Sequence, residues 1–97
     1  MKRHVVVRKE WLDGKCLSEE IVYVRPRPEF EPNDVKTITD NDTLASKQII
    51  KLVMDDRRLN KVTDGTHYYY YYLILVDEKV AQVGARLDFS PVLVPVS

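Results

Sequence analysis

From Arg3 to Leu12 the chain reads Arg-His-Val-Val-Val-Arg-Lys-Glu-Trp-Leu, a β-branched and aromatic run that predicts a strand. Asp13-Gly14 follows, the pair best suited to a two-residue type I′ turn, and residues 16–25 return as the partner strand. A two-residue loop sets Val5 opposite Val22, Trp11 opposite Cys16 and Arg8 opposite Glu19. One added bulge residue instead pairs Val5 with Tyr23, Val7 with Ile21, Trp11 with Leu17 and Lys9 with Glu19, separating apolar from charged positions more cleanly. The hairpin is defined by this pattern; its register is not.

Pro26, Pro28 and Pro32 cannot continue a ladder, so residues 26–41 are expected to form a proline-rich connector, with a short extended piece over Val35 to Thr39. Asp40-Asn41-Asp42-Thr43 offers N-caps for a helix. Ala45, Ile49, Leu52 and Val53 then recur at helical spacing, which predicts one amphipathic helix over about 42–59. The turn-rich Thr63-Asp64-Gly65-Thr66 closes it.

Tyr68 to Tyr72, five tyrosines in a row, run into Leu73-Ile74-Leu75-Val76, so the strand predicted over 67–76 is apolar on both faces. Asp77-Glu78-Lys79 reads as a turn and 80–89 as a return strand with Ala81, Val83, Ala85, Leu87 and Phe89 on one side. The tyrosine face that joins those residues depends on the loop length: Tyr68, Tyr70 and Tyr72 for two or four residues, Tyr69 and Tyr71 for three. Residues 90–97 form an apolar tail in which Val92, Leu93 and Val94 are placed to cover an edge or meet a neighbouring chain. The expected fold is α+β, in the order β-β-α-β-β, an antiparallel sheet of two hairpins with one helix on one face.

Ninety-seven residues suit one domain spanning 1–97. The 44 % of apolar and 31 % of charged residues describe a globular chain, and no apolar run reaches the ~20 residues that span a bilayer. A cytoplasmic location without a membrane partner is therefore expected. Cys16 is the single cysteine, which excludes an internal disulfide and fits a reducing compartment, where it is expected as a small packed hydrophobe. Fifteen basic residues balance fifteen acidic ones, so a long-range field toward nucleic acid is missing.

Candidate chemistry is thin. Asp64 and Asp77-Glu78-Lys79 resemble the acidic and lysine set of metal-dependent nucleases, but about thirteen extended residues put them roughly 40 Å apart, too far to share an ion. Asp40-Asn41-Asp42 lacks the sixth-position glycine of a calcium loop, and Lys51 stands where the closing glutamate belongs. His4 and His67 have no second ligand at metal-binding spacing, and no serine sits in a nucleophile elbow. No catalytic residue, metal or cofactor is expected.

The leading expectation is a small non-catalytic protein-binding module, a homodimer or the subunit or inhibitor of a larger complex. Compact accessory proteins of phages and mobile elements have this make-up, though no residue demonstrates such an origin. Its interface would use Tyr68, Tyr69, Tyr70, Tyr71, Tyr72 and Ile74 with Val92, Leu93 and Val94. The alternative is a nucleic-acid-binding regulator using Arg3, Arg8, Lys9, Arg25 and Arg27. Base stacking on the tyrosines themselves is disfavoured because 67–76 holds no lysine or arginine and the expected return strand supplies only Arg86.

Overall fold

The computed structural model describes residues 1–27, 29–46, 49–50 and 60–87. The fold is α+β: four antiparallel strands in one sheet, ordered β2-β1-β4-β3, with a helix on one face. Strand β1 (Lys2–Leu12) and β2 (Lys15–Val24) form the first hairpin, α1 spans Pro32–Asn41, and β3 (Asn60–Thr63) and β4 (Tyr68–Asp77) form the second. No helix among the described residues is long and apolar enough to cross a membrane.

The Asp13-Gly14 turn is as expected, with positive φ at both positions, 50° and 77°, and Leu12 opposite Lys15. The register combines both anticipated patterns: Trp11 pairs with Cys16, then Lys9 with Glu19 and Val7 with Ile21, because a bulge at Leu17 intervenes. A second bulge at Val22 puts Val5 opposite Val24 and lets Val22 and Tyr23 both join the helix-side core.

The connector expected over 26–41 is instead largely helix. Pro32 occupies the first turn, where its fixed φ suits a helix and its missing N–H is no loss, so it starts α1 rather than preventing it. Asp34 completes the start by accepting from the Glu31 backbone N–H at 2.6 Å. Asp42 ends α1, its N–H bonded to the Ile38 carbonyl, rather than capping a following helix. Of the helix expected over 42–59, Ile49 and Ile50 are helical, and Ser46 caps them: its Oγ accepts from Ile49 N at 3.2 Å and its carbonyl from Ile50 N at 2.9 Å. Residues 51–59 lie outside the described residues.

The second hairpin is also displaced from its expected place. Strand β4 returns from β3 through Asp64-Gly65-Thr66-His67, with Thr63 opposite Tyr68, and not onward into 80–89. Asp64 Oδ1 holds that loop by accepting from the N–H groups of Thr66 and His67 at 2.9 and 2.8 Å. After β4 the chain makes a 3-10 turn (Glu78–Val80) and crosses the sheet to reach the outer edge of β2. There Gly84 N bonds Ile21 O, Ile21 N bonds Ala85 O, and Leu87 N bonds Glu19 O, closing part of an edge that would otherwise template aggregation.

The two faces have separate cores. Val6, Val22, Tyr23, Tyr69, Tyr71 and Leu73 pack beneath Ile38, Ala45 and Ile50 on the helix side. Val5, Val7 and Ile21, joined by Tyr72, Ile74 and Val76, pack against Ala81, Ala85 and Leu87 on the other.

Candidate binding surfaces

Strand alternation splits the tyrosine run. Tyr69 and Tyr71 are buried on the helix side, 7 % and 0 % exposed, which removes them from the interface expected from sequence. Tyr68, Tyr70 and Tyr72 lie on the outer face with Ile74, but Ile74 and Tyr72 are half-buried and pack, as Ala81, Ala85 and Leu87 of the crossing segment do, against Val5, Val7 and Ile21. Val92, Leu93 and Val94 lie outside the described residues.

Among the described residues, the half of the outer face nearest the Asp13-Gly14 turn is left uncovered by the crossing segment. Two rows run across all four strands there: Glu19, Lys9, Tyr70 and Lys61 in one, and Cys16, Trp11, Tyr68 and Thr63 in the other. Trp11 meets Tyr70 edge to face at 6.2 Å. The Lys61 ammonium sits 4.1 Å above the Tyr68 ring centre, and Lys9 lies 5.8 Å from Trp11 and 6.0 Å from Tyr72 while reaching Glu19 at 3.9 Å. Cys16, expected to be packed, is exposed in this surface. The cations missed in the sequence come from β1 and β3, neither of which was expected beside the tyrosines.

The five basic residues proposed for nucleic acid do not form one patch. Arg3, Arg25 and Arg27 line a cleft at the far end of the sheet, Lys9 is on the outer face, and Arg8 is on the helix side. Arg8 is committed to structure. It lies 3.0 Å from Asp42 and 3.3 Å from Glu20, with its guanidinium 5.4 Å above the Tyr69 ring. Burial would lower its pKa, but the charges of Asp42 and Glu20, with Tyr71 and Tyr69, outweigh that and raise it.

Asp42 is 3 % exposed and fully engaged: Oδ1 takes Arg8 and the Leu44 N–H, and Oδ2 takes the Tyr71 hydroxyl at 2.8 Å. Burial, and then the neighbouring Asp42 carboxylate, push the Tyr71 phenol well above its ordinary range. A second network repeats the device under α1, where Asp34 accepts from Tyr23 at 2.6 Å and from Arg27 at 2.8 Å. Burial raises Asp34, but the Tyr23 and Glu31 hydrogen bonds and the Arg27 charge prevail and hold it below the usual carboxylate range.

One arrangement resembles catalytic machinery. Ser18 Oγ donates to Glu10 at 3.3 Å, and the other Glu10 oxygen lies 3.5 Å from His67 Nε2. The order is wrong for a nucleophile, which needs the imidazole beside the hydroxyl and the carboxylate behind it, whereas here the carboxylate stands between them. No group of three or more metal-ligating side chains occurs among the described residues. No protein-family model, curated protein or solved structure matches the chain.

Proposed function

We propose that this chain is a small non-catalytic protein-binding module that associates with a second copy of itself through the uncovered half of its outer sheet face. The observation that carries the reading is the row Glu19, Lys9, Tyr70, Lys61, which bears opposite charges at its two ends with an aromatic cluster beside it. Glu19 on β2 and Lys61 on β3 are three strand spacings apart, roughly 14 Å. Stack two copies with a two-fold axis running along the strands between β1 and β4, and β2 of each lies over β3 of the other. Glu19 then faces Lys61 of the second copy, twice, and Lys9 faces the Tyr70 ring. A self-complementary patch is what a two-fold interface requires. Tyrosine and tryptophan supply its apolar area at low entropic cost.

Light scattering across a concentration series tests this. Twice the chain mass at high micromolar concentration, lost in Trp11→Ala, supports it, and a monomer throughout removes it.

One observation favours a second reading, a single-strand nucleic-acid binder: Lys9 and Lys61 lie beside Trp11, Tyr68 and Tyr70 on one face, rings to stack bases and cations to follow a backbone. Salt separates the two. Binding of an oligonucleotide that weakens steeply with salt and depends on Lys61 marks the second reading, whereas an aromatic-centred protein interface responds little.

A further inference from the structure

At the other end of the sheet, the start of β1, the end of β4 and the chain leaving β2 surround an open cleft of about 570 Å³, within the ~300–1,000 Å³ typical of small-molecule sites. Lys2, Arg3, Arg25 and Arg27 line it, and among the described residues none that line it is acidic. The arginines are held in place by their neighbours. Arg25 is 5 % exposed, donates from Nη2 to His4 Nδ1 at 2.6 Å, and carries its guanidinium 4.9 Å above the Phe30 ring. Since a guanidinium only donates, Nδ1 of His4 must be the accepting nitrogen. Arg27 is fixed by Asp34 at 2.8 Å and Glu31 at 3.0 Å, and Arg3 by Glu78 at 3.7 Å. Those three carboxylates offset part of the arginine charge from outside the described lining, which itself presents four basic side chains.

We propose that this cleft binds a small organic phosphate of nucleotide size. Several guanidinium forks around one space suit a multiply charged, tetrahedral group better than a single carboxylate. Leu75, 52 % exposed, and Pro26 form an apolar wall that suits an organic body and that inorganic phosphate would leave unused. β1 runs from this cleft to the Trp11 surface, and its nine steps from Lys2 to Trp11 cover roughly 30 Å. The two sites are therefore separable by mutation.

Calorimetric titration of the whole chain with ATP, with pyrophosphate and with a short single-stranded oligonucleotide tests the assignment. ATP should bind saturably at one site per chain, more tightly than pyrophosphate. Lys2→Glu with Arg3→Glu should weaken ATP at least about tenfold, while Lys15→Glu beside the distant Asp13-Gly14 turn leaves it unchanged. Circular dichroism of the double variant separates lost binding from lost folding, and Lys2→Ala serves as the milder substitution if the double variant unfolds. Absence of saturation with ATP, or ATP binding indifferent to both cleft substitutions, would overturn the proposal. So would pyrophosphate binding as tightly as ATP, which would remove the organic body, or an oligonucleotide binding through the cleft where ATP does not.

Discussion

Replacing Tyr71 by phenylalanine removes one oxygen from the helix-side core and keeps the ring. The hydroxyl donates to Asp42 Oδ2 at 2.8 Å, and Asp42 is nearly inaccessible, so water cannot replace the lost donor without opening the packing around Ile38 and Leu44. A hydrogen bond to a charged, buried acceptor contributes about 1.5–3 kcal/mol, and leaving that acceptor short of a donor puts the cost in the same range. Arg8 still neutralises Oδ1, which keeps the loss near the middle, about 2 kcal/mol or roughly 10 °C in Tm for a domain of this size. Urea melts followed by circular dichroism measure it. The pH dependence supplies a second signature. A tyrosine whose pKa is raised by folding contributes fully below the unfolded value of about 10, and that contribution is lost as pH climbs beyond it. The wild-type protein should therefore lose stability above pH 10 more steeply than Tyr71→Phe. A variant within about 0.5 kcal/mol of wild type at neutral pH, with an unchanged alkaline limb, would refute the buried Asp42 network.

Three other outcomes follow from the same structure. Gly14→Val forces a β-branched residue to φ 77° in a turn where no other atom lies near, so the cost is backbone strain of about 1–3 kcal/mol, read as a lower Tm with no other structural change. Asp34, held below its ordinary pKa, stabilises the fold above the unfolded carboxylate value of about 3.9 and progressively less as pH falls below it; Asp34→Asn should be less stable at pH 7 and flatter in acid, as thermal melts at stepped pH would show. Tyr69→Ala with Tyr71→Ala should unfold the domain, since each buried aromatic lost costs ~3–5 kcal/mol, whereas Tyr68→Ala with Tyr70→Ala should melt near wild type and lose self-association in a sizing experiment.

The first hairpin was legible because Asp13-Gly14 demands positive φ and so fixes the turn by local chemistry. One bulge was legible as an alternative register, though not its place at Leu17; the second was not, since it serves a tertiary end and turns both Val22 and Tyr23 toward the helix. Pro32 misled because a proline that breaks a strand and one that opens a helix look alike until the following acid is seen to cap, as Asp34 does. Of the alternating positions expected on one face, Val83 is 54 % exposed and Phe89 lies outside the described residues, but Ala81, Ala85 and Leu87 do pack on the same Val5, Val7 and Ile21 cluster as Tyr72, Ile74 and Val76. They do so by crossing the sheet to β2 rather than by pairing with β4, a choice between non-local partners that no local pattern encodes. The outer surface was half legible for the same reason. Its tyrosines stand together in sequence, but Trp11, Lys9 and Lys61 reach them only through strand order.

Exchange of charge between Glu19 and Lys61 tests the self-association account most directly. By sedimentation at high micromolar concentration, wild type should be a dimer, Lys61→Glu should be monomeric because two acidic groups now oppose each other at both ends of the interface, and adding Glu19→Lys should restore the dimer. A wild-type monomer, or a Lys61→Glu variant that sediments as wild type does, would contradict it.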